Sequence, residues 1–232
     1  MPLDGAHVLL IVRAMRKTRY KRPGPGRAAG FTLLELMLVI TIAALILGIG
    51  VPNMRQFILN NRMTAAANDL LAAVYTARGE AVKRNTQVMM CFSTSPRAAT
   101  PDCNGDGTQG WVVFVDAADV DVAAATDNNG VVDGGEPVLL RHDALPGTIR
   151  VQSRPAGNKG YVAFNAAGFS RQIPSVGTGL AGVVMCDARG NVELYGADNS
   201  AARGVLISQT GRPRVTRSVD EIENNVFLDG CP

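Results

Sequence analysis

Gly30-Phe31-Thr32-Leu33-Leu34-Glu35 opens the run that decides the architecture of this chain, FTLLELMLVITIAALILGIGV from Phe31 to Val51. A helix of about 20 apolar residues crosses a hydrocarbon core roughly 30 Å thick. The only charged residue in the run is Glu35. A charged side chain inside such a span costs about 2.5–3.5 kcal/mol on insertion scales, so a retained carboxylate marks a functional position. Two readings of Glu35 stand side by side. It lies one helical turn from Phe31, and Thr32-x-x-Glu35 also fits a capping box at the positive end of a helix.

Upstream, the chain is basic. Arg13, Arg16, Lys17, Arg19, Lys21, Arg22 and Arg27 face only Asp4, so the first thirty residues carry +6 and the remainder, at −3, is mildly acidic. Basic residues before a span hold that side in the cytoplasm. The expected topology is a single pass with the C-terminus outside. An ordinary secretory signal peptide shares the basic-then-apolar order, and Gly48-Ile49-Gly50 offers it small residues for cleavage. Its apolar region is about 7–15 residues, however, shorter than this run and free of charge. Met15 is a second possible start.

Downstream of Pro52 the apolar residues Met54, Phe57, Ile58, Ala65, Leu70, Leu71, Val74, Ala77 and Ala81 keep near-helical spacing to about Arg84. Pro52, after Gly48 and Gly50, is expected to kink or loosen the helix. One helix from Phe31 to Arg84 would be about 80 Å long. Its outer half is amphipathic, and its apolar face needs a cover. From Thr86 the pattern turns to short strands: Gln87–Phe92, Trp111–Val115, Pro137–Leu140, Thr148–Val151, Tyr161–Phe164, Gly182–Cys186, Val192–Tyr195 and Gly204–Ser208. Residues 93–110 and 116–136 read as polar loops. The fold class is α+β, a long N-terminal helix on an antiparallel sheet. The expected divisions are a basic leader 1–30, a membrane-spanning half-helix 31–51, an amphipathic half-helix 52–85 and a β-rich domain 86–232.

Cys91, Cys103, Cys186 and Cys231 form an even set in the region expected outside the membrane, which favours disulfides, with three connectivities open. Cys91–Cys103 with Cys186–Cys231 is the favoured set: one bridge closes a short loop, the other clamps the tail. There is no CxxC pair, and His7 and His142 are the only histidines, so zinc is not expected. His142 reads as a solvated strand-end residue. No nucleophile, base and oxyanion group converge, so neither catalysis nor a cofactor is expected. A weak calcium candidate counts Gly130 as loop position 6, which places Asp127, Asn129, Asp133 and Glu136 at ligand positions but Ala125 at position 1. Asp102-Cys103-Asn104-Gly105-Asp106-Gly107 has the front of such a loop and Val113 where its closing Glu belongs. Both stretches also read as turns built by side-chain to backbone bonds. Arg203, Arg212, Arg214 and Arg217 make a basic group near the C-terminus that could meet phosphates, with Asp220, Glu221 and Glu223 close behind.

The Gly30/Phe31 junction resembles the prepilin leader of type IV pilins and type II secretion pseudopilins. That resemblance implies cleavage after Gly30 by a prepilin peptidase, methylation of the new Phe31 amine, and pairing of Glu35 with that amine in an assembling filament. Leu70 to Asn85, Gly110-Trp111-Val112-Val113-Phe114-Val115-Asp116, Phe164-Asn165-Ala166-Ala167-Gly168, Cys186-Asp187-Ala188-Arg189-Gly190 and Ala202 to Ser208 with Gly211-Arg212-Pro213-Arg214 are similar to the GspH/FimT family. The likeness implies a minor pilin or pseudopilin that partners other such subunits and the inner-membrane assembly machinery. It further implies an inner-membrane precursor that moves into a pilus or pseudopilus. In FimT-type minor pilins the Gly211-Arg212-Pro213-Arg214 pattern is associated with DNA, which gives DNA capture for uptake as the alternative function.

Overall fold

The computed structural model describes residues 30–116, 129–133, 135–154, 160–174, 176–196, 198–228 and 230–231. The expected leader therefore lies outside the described residues up to Ala29. The chain divides into two compact units, Met1–Val51 and Pro52–Pro232. Helix α1, Leu33–Arg84, contributes to both and carries Pro52 within its helical stretch.

In the first unit every described residue is exposed, from Gly30 to Val51. The sequence sets the start of α1: Thr32 Oγ1 accepts from the Glu35 N–H at 3.2 Å, and Thr32 O accepts from Leu36 N–H at 3.1 Å. Thr32 is thus the N-cap, and half of the capping box is present. Among the described residues, α1 is the one helix long and apolar enough to cross a membrane.

In the second unit, α1 buries Met63, Ala66, Ala67, Leu70, Ala73, Val74, Ala77 and Ala81. Five small side chains in that stripe, Ala66, Ala67, Ala73, Ala77 and Ala81, let the sheets approach the helix axis closely. The burial begins later than the periodicity implied. Met54, Phe57 and Ile58 are exposed, as is Ala65.

Two antiparallel sheets cover the helix. The first comprises β1 (Val88–Phe92), β2 (Trp111–Val115), β3 (Val138–His142), β5 (Tyr161–Phe164) and β6 (Ser170–Arg171), in the order β3-β2-β1-β5-β6. The second comprises β4 (Arg150–Arg154), β7 (Gly182–Cys186), β8 (Arg203–Ile207) and β9 (Pro213–Thr216), in the order β4-β7-β8-β9. A short helix α2, Val219–Asn224, follows. Alternate residues divide each strand between two layers. Val88, Met90, Phe92, Trp111, Val113 and Val115 join the helix core, while Met89, Cys91, Val112 and Phe114 face a second cluster with Val132, Tyr161 and Ile173. Likewise Val183, Met185, Val205 and Ile207 face the helix core, and Val184, Cys186, Ala202 and Leu206 face a third cluster under α2 with Ile222 and Leu228. Burial on both faces explains why β1, β2, β7 and β8 are buried along their whole length.

The disulfides are Cys91–Cys103 and Cys186–Cys231. Each ties a covering segment to the outer face of one sheet, the first the 93–110 loop, the second the C-terminal tail. His142 corrects the expectation of a solvated residue. It ends β3, but its ring stacks on Trp111 with centroids 3.9 Å apart and an interplanar angle of 10°. Its Nε2 lies 3.4 Å from Asp69 Oδ2 on α1, which joins the edge strand to the helix.

Besides the two-residue β6, three segments depart from the expected strands. Val192–Tyr195 is not a strand: only Glu193 bridges Ser200, and Tyr195 with φ 60° and Gly196 with φ 75° turn the chain away. β9 begins at a proline, which lacks the ladder N–H and is tolerated because β9 is an edge strand. α2 is short but capped, with Ser218 Oγ accepting the Glu221 N–H at 3.0 Å.

Candidate functional site

Among the described residues, a Cβ at Gly30 would meet no other atom within 4 Å. Phe31 is 78 % exposed, and the residues after it form an uncovered apolar helix with Glu35 in its first turn. A peptide bond in a non-helical stretch just before a capped helix is accessible to a processing enzyme. The exposed apolar surface behind it requires either lipid or other helices.

The four C-terminal arginines do not form one patch. Arg203, expected at the surface, is 2 % exposed. It lies at the start of β8, where its Nη1 donates to the carbonyls of Ser200 at 2.7 Å, Ala201 at 3.2 Å and Ala202 at 2.7 Å. Its Nη2 donates to Thr64 Oγ1 at 3.2 Å. Burial pulls this guanidinium down to about 10, helped by the like charges of Arg217 and Arg189 and opposed by Asp187, so it stays charged at neutral pH. Its role is to neutralise a bend of backbone carbonyls and to fasten that bend to the helix. Arg214 lies in β9 and forks onto Glu221 of α2, with Nη1 3.0 Å from Oε2 and Nη2 on Oε1. Hydrogen bonding to Glu221 raises the Arg214 guanidinium further, and the same pairing lowers the Glu221 carboxyl. Arg212 and Arg217 are exposed.

Arg189 joins the Asp187 turn to α1. Asp187 accepts the Arg189 N–H at 2.9 Å in a turn, and its carboxylate takes Arg189 Nε at 3.0 Å and Nη2 at 2.6 Å. Nη1 reaches Gln56 Oε1 at 2.9 Å and Asn60 Oδ1 at 2.8 Å on α1. Burial acts to raise the Asp187 carboxyl, but the bonds and charge of Arg189 outweigh it and hold the group below its usual range. The signal was the Asp-x-Arg-Gly turn itself, whose Asp recruits its own backbone.

The calcium-type loop is tied by its own side chains. Asn129 Nδ2 donates to Asp133 Oδ2 at 2.8 Å, Asn129 Oδ1 accepts the Val131 N–H at 2.7 Å, and Glu136 Oε2 accepts the Asp133 N–H at 2.9 Å. These are turn-making bonds. Asp127 lies outside the described residues, and among those described no group of three or more His, Cys, Asp or Glu residues is placed to hold a metal. The Asp102 stretch behaves in the same way: its carboxylate takes Thr94 N–H and Oγ1, Ser95 Oγ and Asn104 N–H. Burial opposes those bonds, yet they hold the Asp102 carboxyl far below its usual range.

One buried carboxylate carries more interest. Asp116, at the end of β2, is fully buried, and its Oδ2 accepts Gln87 Nε2 at 2.6 Å and the Gly130 N–H at 3.1 Å. Arg171 Nη1 donates to Gln87 Oε1 at 3.0 Å, which extends the network to β6. Burial lifts the Asp116 carboxyl above its usual range against these bonds. The network anchors the 129–133 segment to the first sheet.

Residues 66–211 match the family described as Type II transport protein GspH, and residues 26–51 match the prokaryotic N-terminal methylation motif. Among curated proteins none matches this chain. Two crystal structures of the Pseudomonas aeruginosa type IV minor pilin FimU are similar. One is 21 % identical, with a TM-score of 0.43, over 68 % of this chain and 96 % of FimU. The other is 22 % identical, with a TM-score of 0.40, over 66 % and 91 %. The match to most of the β domain and to the apolar N-terminal motif makes the chain a member of the GspH family of minor pilins and pseudopilins.

Proposed function

We propose that this protein is a filament subunit of a type IV pilus or a type II secretion pseudopilus. It is made as an inner-membrane precursor with the basic leader in the cytoplasm and the β domain in the periplasm. A prepilin peptidase cuts after Gly30, Phe31 becomes the methylated terminus, and the assembly machinery moves the subunit into a filament with other pilins or pseudopilins. The observation that carries this reading is the uncovered apolar helix with Glu35 in its first turn. In lipid that helix is solvated by acyl chains. In a filament its cover is the helices of neighbouring subunits, and Glu35 meets the Phe31 ammonium of a neighbour in place of water. Such a pair offsets the cost of holding a carboxylate in an apolar medium. The family is one of structural pilins rather than enzymes.

DNA capture through the C-terminal arginines is the weaker reading. Arg203 is committed to backbone carbonyls and Arg214 to Glu221, so the patch reduces to Arg212 and Arg217. The test of the main reading is incorporation. Tagged wild-type protein should appear in sheared surface filaments or in a pseudopilus fraction, and Gly30→Leu should remain in the membrane with its leader attached. Equal release of both forms into the medium would refute it. Deletion separates the finer alternatives through lost pili, lost exoprotein secretion, or lost DNA uptake with pili intact.

A further inference from the structure

The connection from β7 to β8 lies toward the end of α1 that bears Pro52. Arg203, at the start of β8, donates to Thr64 Oγ1, whereas Pro213, the partner of Ile207 at the far end of β8, accepts from Tyr75 Oη. β8 therefore runs away from Pro52, and its antiparallel neighbour β7 runs toward it. Past the strand ends the connection continues in that direction, because Arg189 reaches Gln56 Oε1 at 2.9 Å and Asn60 Oδ1 at 2.8 Å. From Thr64 back to Gln56 the helix covers about 12 Å. Gln56 comes five residues after Val51, so the Asp187 turn is bonded to a point at most about 18 Å of chain from the end of the apolar segment.

This connection turns apolar side chains outward. Val192 is 52 % exposed and Tyr195 84 %. The backbone closes the turn without them, with Ala201 N–H on Val192 O at 2.8 Å and Leu194 N–H on Asn199 O at 2.6 Å. Tyr195 also has φ 60°, a conformation that glycine or asparagine adopts more readily than a bulky residue. A large ring kept there in solvent points to a partner outside the subunit.

The position of the connection selects that partner. Beside the roughly 30 Å hydrocarbon core lies a headgroup layer that brings the bilayer to about 40–45 Å. Tyrosine is enriched in that layer, where its ring and its hydroxyl each find a suitable medium. The exposed charges at this end are of both signs, Arg55, Arg62 and Arg217 against Glu193, Asp198 and Asp220. The acids are engaged locally: Glu193 Oε1 takes the Asp198 N–H at 3.1 Å, Asp198 Oδ1 the Asp220 N–H at 3.2 Å, and Asp220 Oδ1 takes Asn224 Nδ2 at 2.8 Å. Mixed charge neither drives nor forbids approach to a membrane, so the apolar side chains govern the contact.

We propose that, before assembly, the β7–β8 connection rests on the bilayer, with Val192 and Tyr195 in the headgroup layer of the leaflet that the apolar segment leaves at Val51. The contact deepens the filament reading and rests on its membrane-anchored precursor. It gives the precursor a second attachment besides the span, and that attachment is released when the subunit moves into a filament.

The test places the full-length protein in vesicles of phosphatidylcholine with acyl chains brominated just below the headgroup, where bromine quenches tryptophan only on close approach. The chain has one tryptophan, Trp111, which is buried, so the wild type supplies the background. Tyr195→Trp keeps an aromatic ring in the connection. Phe169→Trp is the control, since Phe169 is 54 % exposed and follows Gly168, which lies against Val82 and Arg78 in the last turns of α1. Asn60 and Val82 are about 33 Å apart along the helix. Brominated lipid should remove most of the emission that Tyr195→Trp adds and little of that added by Phe169→Trp. Equal emission of Tyr195→Trp in brominated and ordinary lipid, or equal quenching of both variants, would overturn the contact. A blue-shifted emission without quenching would assign the ring to a protein partner and overturn it likewise. Flotation of the same vesicles separates the two readings. Protein that floats with lipid but is not quenched refutes the contact alone, whereas protein that fails to float refutes the membrane-anchored precursor and the contact with it.

Discussion

Arg203 and Glu35 are both charged residues in places where charge is costly, and they resolve it differently. Inside its own subunit, the two terminal nitrogens of Arg203 are taken by three carbonyls and Thr64, while its Nε is buried without a partner among the described residues. Arg203→Ala should therefore cost about 3 kcal/mol by orphaning those acceptors and leaving a void, while Arg212→Ala and Arg217→Ala should stay within about 0.5 kcal/mol. Urea unfolding followed by Trp111 fluorescence measures all three, and equal small losses would return Arg203 to the surface group. Glu35 has no such internal cover, since its surroundings in the subunit are exposed. Glu35→Ala should insert in the membrane more readily, because a carboxylate is gone, and yet be depleted from filaments. Wild-type incorporation would leave Glu35 only its place in the helix cap. Asp116 gives a pH signature. Its carboxyl is raised in the fold, so the folded state holds a proton that the unfolded chain releases near 3.8. Its contribution is most favourable below that value and is lost as pH rises through the raised value. The stability difference between wild type and Asp116→Asn should accordingly widen against wild type as pH rises from 4 toward neutrality, and a pH-independent difference would contradict the assignment. Asp187, held below its usual range, acts in the opposite sense and is common to both proteins.

At the scale of elements, the sequence was legible wherever a segment buries an alternating or helical face. α1 ends at Arg84, and β2, β5 and β7 span the residues their β-branched and aromatic content marked. Short elements held by tertiary contacts were not legible. β6 has two residues and exists only against β5, and β9 opens with a proline that argues against a strand unless it lies at an edge. α2 did carry a readable sign, Ser218-x-x-Glu221, the same capping pattern as Thr32-x-x-Glu35. For the candidate site, the Gly30/Phe31 junction and Glu35 were legible because they break the rules of an apolar span. The separation of the arginines was not, since it depends on tertiary contacts: Arg203 opens the fully buried β8 and bonds backbone carbonyls and Thr64, whereas Arg214 is an exposed residue of the edge strand β9 that pairs with Glu221. The disulfides differ in the chain they enclose, with sequence separations of 12 and 45. On loop entropy, losing Cys186–Cys231 should cost about 4 kcal/mol and losing Cys91–Cys103 about 3 kcal/mol. Thermal unfolding of the paired Cys→Ala variants checks the order, and a larger loss for the shorter loop would show that outer-layer packing on the first sheet dominates.

The second unit is a β domain packed on its stretch of α1, and in the first unit every described apolar residue is exposed, as expected of a subunit that exchanges lipid for neighbouring helices. Everything in that account depends on where the mature chain begins. Mass spectrometry of the N-terminal peptide, taken from the membrane and from sheared surface material, tests it most directly. The account predicts a peptide that begins with N-methylated Phe31 in both fractions. A mature terminus near Val51, with the apolar segment removed and the β domain released as a soluble protein, would contradict it.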